Sequence, residues 1–149
     1  MIMHPMNRTV RLRTLVVDDS AVALNTLCAL LQRHPMVEIV GRASDGCEAI
    51  ETARQLRPDL VVMDIQMPRM NGLEAAQCLA RELPGIAIVL VTFHDLPQIR
   101  EAALQSGAKW FVPKDKITSQ LAGIISEVFA SFSVSRSGAS AEKSQAAGR

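Results

Sequence analysis

Two patterns of apolar and polar positions alternate along the chain and predict its secondary structure. In five short runs, apolar residues follow one another with few interruptions, which is typical of buried strands. These runs lie at 12–17, 37–43, 60–63, 86–92 and 109–112. Between and after them, apolar residues recur three and four positions apart, which indicates helices with one buried face. The predicted helices lie at 20–34, 45–57, 72–83, 97–106 and 116–132.

The regular alternation of strand and helix predicts one α/β domain, with a parallel sheet between helices on both faces. The strand at 37–43 is more polar than the others, which places it near an edge of the sheet. We expect the folded domain at 11–132 and an N-terminal extension at 1–10. Residues 133–149 are rich in Ser, Ala, Gly and charge without an apolar period, so they are predicted to be a disordered tail or the start of a linker.

Composition argues against several classes of partner. The formal net charge of +1 gives no reason to expect non-specific binding to nucleic acid or to a membrane. The N-terminal residues lack the apolar core of a signal peptide, and the longest aliphatic run, 86–91, is too short to span a bilayer. The three cysteines have no Cys-x-x-Cys spacing, so neither zinc nor a disulfide is predicted. We therefore expect a soluble cytoplasmic domain.

Polar side chains follow four of the five predicted strands: Asp18 and Asp19, Asp64, Thr92 and Lys114. The carboxyl ends of parallel strands meet at one edge of a sheet, so these side chains are predicted to share one crevice. Three carboxylates raise one another's pKa values, and a divalent cation together with the lysine would relieve this. Ligands that offer only oxygen favour Mg²⁺. An ionised Asp64 in this setting is suited to attack phosphorus and form an aspartyl phosphate.

Taken singly, each of these residues has an ordinary structural explanation. Asp19 before Ser20 fits a helix N-cap. Thr92 is a common strand residue, and Lys114 is typical of a solvated surface. Their occurrence together and in order at four strand ends favours a shared site over separate structural roles.

Four segments carry a resemblance to a known family: Val-Val-Asp-Asp-Ser at 16–20, Asp-Ile-Gln-Met-Pro-Arg-Met-Asn-Gly at 64–72, Val-Thr at 91–92 and Gly-Ala-Lys-Trp-Phe-Val-Pro-Lys-Asp at 107–115. Over residues 11–131 the chain resembles the receiver domain of response regulators in two-component signalling. The last segment is most similar to receivers of regulators with helix-turn-helix outputs, and no such output is found in this sequence. The resemblance implies a flavodoxin-like (βα)5 sandwich of three layers with strand order 2-1-3-4-5.

The resemblance also implies a phosphoryl-transfer role for the predicted site. Asp64 would accept a phosphoryl group from a histidine kinase or a phosphotransfer protein, and Thr92 and Lys114 would contact that group. The implied Mg²⁺ ligands are Asp18, Asp19, Asp64 and the backbone carbonyl of Gln66. Such a protein is a signalling phosphoacceptor that catalyses only its own phosphorylation and dephosphorylation, so we expect it not to be an enzyme in the usual sense.

Phosphorylation would act on a switch, as the resemblance further implies. Thr92 and Phe111 would move together, although Phe111 also fits a plain core aromatic. The face made by the fourth helix, the fifth strand and the fifth helix would then change shape. That face would contact an output domain, a protein partner or a second copy of the chain in a homodimer.

Three residues occupy positions that tune the rates in this family: Gln66, Phe93 and His94. Phe93 departs from the small residue that is usual there, so we expect it to slow phosphoryl exchange, and Phe93→Ala tests this. Pro113 lacks the N–H that a strand residue donates, which is tolerated only at an edge or at the end of a strand.

Two other functions are compatible with these residues. The domain would bind partners without being phosphorylated if Phe93 blocks the site, and partner affinity would then be unchanged by Asp64→Asn. A phosphohydrolase of the haloacid dehalogenase type also uses a nucleophilic Asp and Mg²⁺. That class has Asp-x-Asp after its first strand, whereas Asp18 and Asp19 are adjacent here.

Overall fold

A computed structural model describes the backbone of residues 10–147 and the side chains of residues 10–132. Within the described part of the chain, five strands form one parallel sheet: β1 (Leu12–Val17), β2 (Val37–Ala43), β3 (Leu60–Asp64), β4 (Ala87–Thr92) and β5 (Trp110–Pro113). The strand order is β2-β1-β3-β4-β5, so the predicted order 2-1-3-4-5 and the doubly wound fold are confirmed. The more polar β2 lies at one edge, as predicted, and β5 lies at the other.

Five helices connect and follow the strands: α1 (Ala21–Gln32), α2 (Gly46–Leu56), α3 (Gly72–Glu82), α4 (Pro97–Gln105) and α5 (Ile117–Ala147). Side chains cap the first three at their N-termini, because the oxygens of Ser20, Asp45 and Asn71 accept hydrogen bonds from backbone N–H groups two or three residues into each helix. The N-cap of α1 is therefore Ser20. This leaves the carboxylate of Asp19 available for another role.

Alternating strand residues build two apolar layers, one on each face of the sheet. On one face Leu15, Val17, Val61 and Met63 pack with α2, α3 and α4. On the other face Leu12, Val16, Leu60 and Val62 pack with α1 and α5. All eight of these strand residues are fully buried, so both faces of the sheet are covered and the strands are held rigidly.

Strand register brings the predicted site residues to one edge of the sheet. The pairs at this edge are Val17 with Met63, Asp64 with Val91, and Thr92 with Pro113. The carboxyl ends of β1, β3, β4 and β5 therefore lie at the same level. Pro113 is the last residue of an edge strand, which explains why its missing N–H is tolerated.

The last helix is longer than the sequence predicted. Its backbone continues to Ala147, whereas the apolar period predicted an end at residue 132 followed by a disordered tail or linker. No proline follows Pro113 in the sequence. The segment at 133–147 is rich in Ala, Ser and charged residues, and its Ala, Arg, Glu, Lys and Gln residues favour helix. The predicted N-terminal extension, apart from Val10, lies outside the described residues. The domain limits at 11 and 132 stay predictions.

Within residues 10–147, no helix is both long enough and apolar enough to cross a membrane. The cytoplasmic location stays a prediction.

Candidate functional site

Asp64 is the last residue of β3, its side chain is buried, and its backbone lies close to the first residue of α3. The residue is 4% exposed. The N–H of Gly72 donates to the carbonyl oxygen of Ile65 at 2.7 Å, so the start of α3 folds back onto the strand end. A Cβ atom at position 72 would lie 2.8 Å from Cα of Ile65 and would also collide with the carbonyl oxygen of Asp64. The glycine permits this close approach of α3 to the backbone that carries Asp64.

Three carboxylates converge at the strand ends. Each of Asp18, Asp19 and Asp64 offers an oxygen atom, and these oxygens lie within 4.8 Å of one another. Asp18 is buried and Asp19 is exposed. One oxygen of Asp18, Oδ1, accepts a hydrogen bond from the N–H of Ser20 at 2.9 Å, which fixes the orientation of the carboxylate.

Lys114 is the cation of the cluster. Its Nζ atom donates to Oδ2 of Asp18 at 2.8 Å and lies 3.5 Å from Oδ2 of Asp64. Its side chain is only 10% exposed. The lysine reaches this position because it follows β5 directly and starts the 3₁₀ turn at Lys114–Lys116.

The charge balance of the site is unfavourable to an ionised Asp64. Burial raises the pKa of its carboxyl from 3.8 to about 6; the nearby ammonium of Lys114 opposes this rise, and the negative charge of Asp18 adds to it. Among the described residues, Oδ1 of Asp64 is a buried side-chain oxygen that has no hydrogen-bond partner. Buried oxygens of this kind are typically satisfied by a bound water or ion, or have a catalytic role.

These features fit a hard divalent cation. The donor set consists of carboxylate oxygens without His or Cys, which suits Mg²⁺. Asp64, which has the unpartnered oxygen, contributes to the same cluster as Asp18 and Asp19. Asp18, Asp19 and Asp64 are therefore able to hold the ion, and Gln66 lines the same cavity.

Thr92 and Phe111 lie beside the site and outside its cavity lining. Thr92 is fully buried, and its Oγ1 accepts a hydrogen bond from the backbone N–H of His94 at 3.0 Å. His94 is exposed. Phe111 is 9% exposed, and the guanidinium carbon of Arg100 lies 4.7 Å from the centre of its ring. The salt bridge of 2.8 Å between Arg100 and Asp95 holds the arginine in place.

A cavity of about 560 Å³ opens at the strand ends. Six of the nine sequence-predicted site residues line it: Asp18, Asp19, Asp64, Gln66, Phe93 and Lys114. Phe93 is exposed at the rim and its ring covers Lys114, with Nζ 4.4 Å from the ring centre. The structure thus brings the predicted acidic cluster and its lysine together. The other three, Thr92, His94 and Phe111, are close in sequence to the lining residues Phe93 and Lys114 but do not line the cavity themselves.

Sequence reasoning missed two features of the site. One wall of the cavity is apolar and comes from α1, including Val22, Leu27 and Leu30. The sequence could have indicated this wall, because α1 has more apolar residues than its one buried face requires. The second feature is the contact between Arg100 and Phe111. The sequence does not predict it, because an arginine in a surface helix usually points into solvent.

Comparisons with known proteins agree with this geometry. A family model described as the response regulator receiver domain matches residues 14–126. A protein-glutamate methylesterase/protein-glutamine glutaminase of Myxococcus xanthus is 46% identical over 98 residues, which are 65% of this chain and 28% of that protein. The transcriptional regulatory protein MctR of Rhizobium johnstonii is 30% identical over 118 residues, or 79% of this chain and 55% of that protein. This chain thus spans less than two thirds of either relative.

A solved structure shows the same fold. The response regulator domain of Thermotoga maritima CheB superimposes with a TM-score of 0.73 and 32% identity. The match covers 79% of this chain and 96% of that domain.

The comparisons contradict the expectation that the chain is not an enzyme. Several curated relatives are named as enzymes, protein-glutamate methylesterase/protein-glutamine glutaminase, although only their receiver part matches. The strand-end residues did not reveal this, because the matching segment also occurs in a transcriptional regulator. Since the family model spans well over half of the chain and the fold agrees, the protein belongs to the response regulator receiver domain family.

Proposed function

We propose that this protein is a phosphorylation-controlled receiver in which Asp64 accepts the phosphoryl group. The observation that carries the proposal is that Asp64, whose buried Oδ1 has no hydrogen-bond partner, lines one cavity together with two further aspartates and a lysine. A buried oxygen without a hydrogen-bond partner lowers the stability of the folded protein, so its presence here favours a functional role for Asp64.

In the proposed reaction, a carboxylate oxygen of Asp64 attacks the phosphorus atom of a phosphohistidine on a histidine kinase or a phosphotransfer protein. A new O–P bond forms while the N–P bond of the donor breaks, and the histidine nitrogen departs with the electron pair. The attacking form is the ionised carboxylate, and the nearby ammonium of Lys114 favours that form by lowering the pKa of Asp64. The site then contributes by positioning and by charge neutralisation.

Lys114 and Thr92 are the proposed partners of the phosphoryl group. The ammonium lies 3.5 Å from Asp64, close enough to pair with an oxygen of the group. Thr92 would give up the hydrogen bond that it accepts from the N–H of His94 and would donate its own hydroxyl proton to the group instead. Its rotation would leave room for Phe111, which is held beneath Arg100 in this structure.

The proposed Mg²⁺ site consists of Asp18, Asp19, Asp64 and the backbone carbonyl of Gln66. When bound there, the ion supplies positive charge that offsets the carboxylates and the phosphoryl oxygens. The chain itself contributes the buried orientation of Asp18, which the N–H of Ser20 fixes, and the exposed position of Asp19 at the mouth of the cavity.

The proposal is tested by phosphorylation with a small phospho-donor in the presence of Mg²⁺, followed by mass spectrometry of the intact protein. Wild type should gain the mass of one phosphoryl group, and Asp64→Asn should not. Asp59→Asn is the matched control, because Asp59 precedes the same strand at its opposite end and its Oδ2 accepts a hydrogen bond from the N–H of Arg13, which an Asn oxygen also accepts. A wild-type protein that gains no mass would contradict the proposal and favour the phosphorylation-independent binding function. Continuous turnover of a small phosphate ester would instead indicate the phosphohydrolase.

We propose the α4-β5-α5 face as the surface that reads the phosphorylation state. Its apolar side chains include Leu104, which is exposed on α4. Trp110 of β5 is linked to α5 by a hydrogen bond of 2.8 Å from its Nε1 to Oε2 of Glu127. Phe111 of β5 packs on the side of α4 and lies against Arg100, so its movement would alter the packing of α4 on β5. An output domain, a separate protein partner or a second copy of the chain would bind there.

We propose a methylesterase-type catalytic unit as the output. The support is that the curated relatives at 35–46% identity carry this enzyme name. In a test, this receiver would replace the receiver part of the Myxococcus xanthus relative, and the esterase rate of the fusion would be measured. Phosphorylation should raise that rate, and Asp64→Asn in the same fusion should abolish the effect. An unchanged rate would favour an output of another kind, such as the transcriptional role that the name of MctR indicates.

A further inference from the structure

Phe93 combines high exposure with a specific contact to a charged group. The residue is 71% exposed, which is unusual for a large apolar side chain and costs free energy. The face of its ring nevertheless lies against Lys114, with Nζ 4.4 Å from the ring centre. The ring is therefore placed where it covers the ammonium, although little of it is buried in the core.

A cation at this distance from a ring face is attracted by the ring itself. The π-system of phenylalanine carries negative charge on its faces, so an ammonium within about 6 Å of the ring centre is stabilised. The ammonium of Lys114 is consequently held by two kinds of contact: the carboxylates of Asp18 and Asp64, and the ring face of Phe93.

This second contact matters because a lysine side chain is flexible. Four carbon atoms with free rotation carry the charge, so the ammonium has many positions available unless contacts restrict it. The ring of Phe93 supplies a contact to the ammonium in addition to those of the two carboxylates. The side chain of Lys114 is only 10% exposed, which is consistent with cover from the ring.

We propose that Phe93 is a positioning residue that holds the ammonium of Lys114 at the phosphoryl-acceptor site through the face of its aromatic ring. This role is distinct from any effect of its bulk on access to the cavity. The consequence for the rate rests on the proposed function of Asp64, whereas the contact itself does not.

Three variants separate the ring face from the bulk. Phe93→Leu keeps a large apolar side chain and removes the ring. Phe93→Tyr keeps the ring face and serves as the conservative rescue. Leu96→Ala is the matched control, because Leu96 is another exposed apolar residue of the same loop and does not line the cavity.

The first measurement is the NMR spectrum of the protein without metal. Protons above a ring face are shifted upfield, so the ε-methylene protons of Lys114 should be displaced in wild type, in Phe93→Tyr and in Leu96→Ala. They should return to ordinary positions in Phe93→Leu. Ordinary positions in wild type would overturn the proposal, whether or not the protein is phosphorylated.

The second measurement is the initial rate of phosphorylation by a small phospho-donor with Mg²⁺. Phe93→Leu should lower this rate about two- to fivefold, which corresponds to a cation–π contact near the protein surface. Phe93→Tyr and Leu96→Ala should keep the wild-type rate. A rate in Phe93→Leu that equals or exceeds that of wild type would overturn the proposal. A wild type that is not phosphorylated at all would refute the function of Asp64, and the NMR result alone would then decide whether Phe93 positions the lysine.

Discussion

The ammonium group of Lys114 donates a hydrogen bond of 2.8 Å to Asp18, a residue 96 positions earlier in the chain. The lysine therefore pairs mainly with Asp18, because its Nζ atom lies farther from Oδ2 of Asp64, at 3.5 Å. The other oxygen of Asp64, Oδ1, has no hydrogen-bond partner. Of the two buried carboxylates in the site, the phosphoacceptor candidate Asp64 is thus the one whose charge is less neutralised by the lysine. This difference has consequences for stability, for metal binding and for signalling.

Replacing Asp64 with Asn should stabilise the metal-free protein at neutral pH. Because the pKa of Asp64 is raised from 3.8 to about 6, the folded state favours the protonated carboxyl. That contribution to stability is fully present below pH 3.8 and is lost as the pH rises through about 6. A rise of this size corresponds to at most about 3 kcal/mol, and Asn resembles the neutral form. Urea unfolding with a chelator should show Asp64→Asn to be about 1–3 kcal/mol more stable than wild type at pH 7.5.

The same comparison near pH 4 supplies the control. Wild-type Asp64 is largely protonated in the folded protein there, so most of the advantage of Asp64→Asn should disappear. Equal stability of the two proteins at pH 7.5 would show that the folded state does not disfavour the ionised carboxylate.

Mg²⁺ should stabilise the wild-type protein through the acidic cluster. A ligand that binds only the folded state adds about 2.7 kcal/mol at one hundred times its dissociation constant, which for a protein of this size raises the Tm by roughly 5–10 °C. Asp19→Asn should remove most of this increase, and because Asp19 is exposed, the metal-free protein should keep its Tm. Thermal unfolding with and without Mg²⁺ measures both. Glu101→Gln, which replaces an exposed acid of α4, should respond to Mg²⁺ like wild type; an unchanged response in Asp19→Asn would exclude this residue as a ligand.

Gly72→Ala should damage both the fold and the site. The added methyl group would lie 2.8 Å from Cα of Ile65 and against the backbone of Asp64, so α3 or the strand end must move. Overpacking of this kind costs about 1–3 kcal/mol, and the shift of Asp64 should reduce the rate of phosphorylation at least tenfold. Gly123→Ala is the matched control, since nothing lies within 4 Å of a Cβ atom at that exposed position of α5. It should leave the phosphorylation rate unchanged and stabilise the helix slightly. Similar behaviour of the two variants would argue against the packing role of Gly72.

Phosphorylation should change the fluorescence of Trp110. This is the single tryptophan of the chain, and its hydrogen bond to Glu127 links β5 to α5 next to Phe111. Trp110 and Phe111 are neighbours on β5 with side chains on opposite faces, so a shift of the strand that accompanies movement of Phe111 would alter the surroundings of the indole and therefore its emission. The change should appear on addition of phospho-donor with Mg²⁺ and be absent in Asp64→Asn. A phosphorylated wild type with unaltered emission would place the structural response away from β5 and α5.

Helix α5 illustrates how far periodicity alone reaches. In the helix predicted at 116–132, the apolar residues Ile117, Leu121, Ile124 and Val128 recur three and four positions apart, so the sequence predicts that these four share one buried stripe. In the structure Ile125, and not Ile124, is fully buried, while Ile124 is only partly covered. Two adjacent isoleucines satisfy the same period, and the rotation of the helix against the sheet decides between them.

The contacts of Phe93 and Phe111 were beyond the reach of the sequence for a similar reason. Phe93 was expected to affect access, but its position over Lys114 depends on where β4 and β5 end relative to each other. The cover of Phe111 by Arg100 depends on how α4 lies against β5. Neither contact joins residues that are close in the chain.

The sequence by itself determined the order of strands and helices, the parallel sheet and the set of polar residues at the strand ends. It did so because apolar period and chain polarity are local properties, and parallel strands necessarily bring their carboxyl ends to one edge. Only the tertiary structure decided that Lys114 bonds to Asp18, that an oxygen of Asp64 is left unpartnered and that an aromatic ring covers the lysine. These facts depend on distances of a few ångströms between distant segments, and packing alone sets such distances.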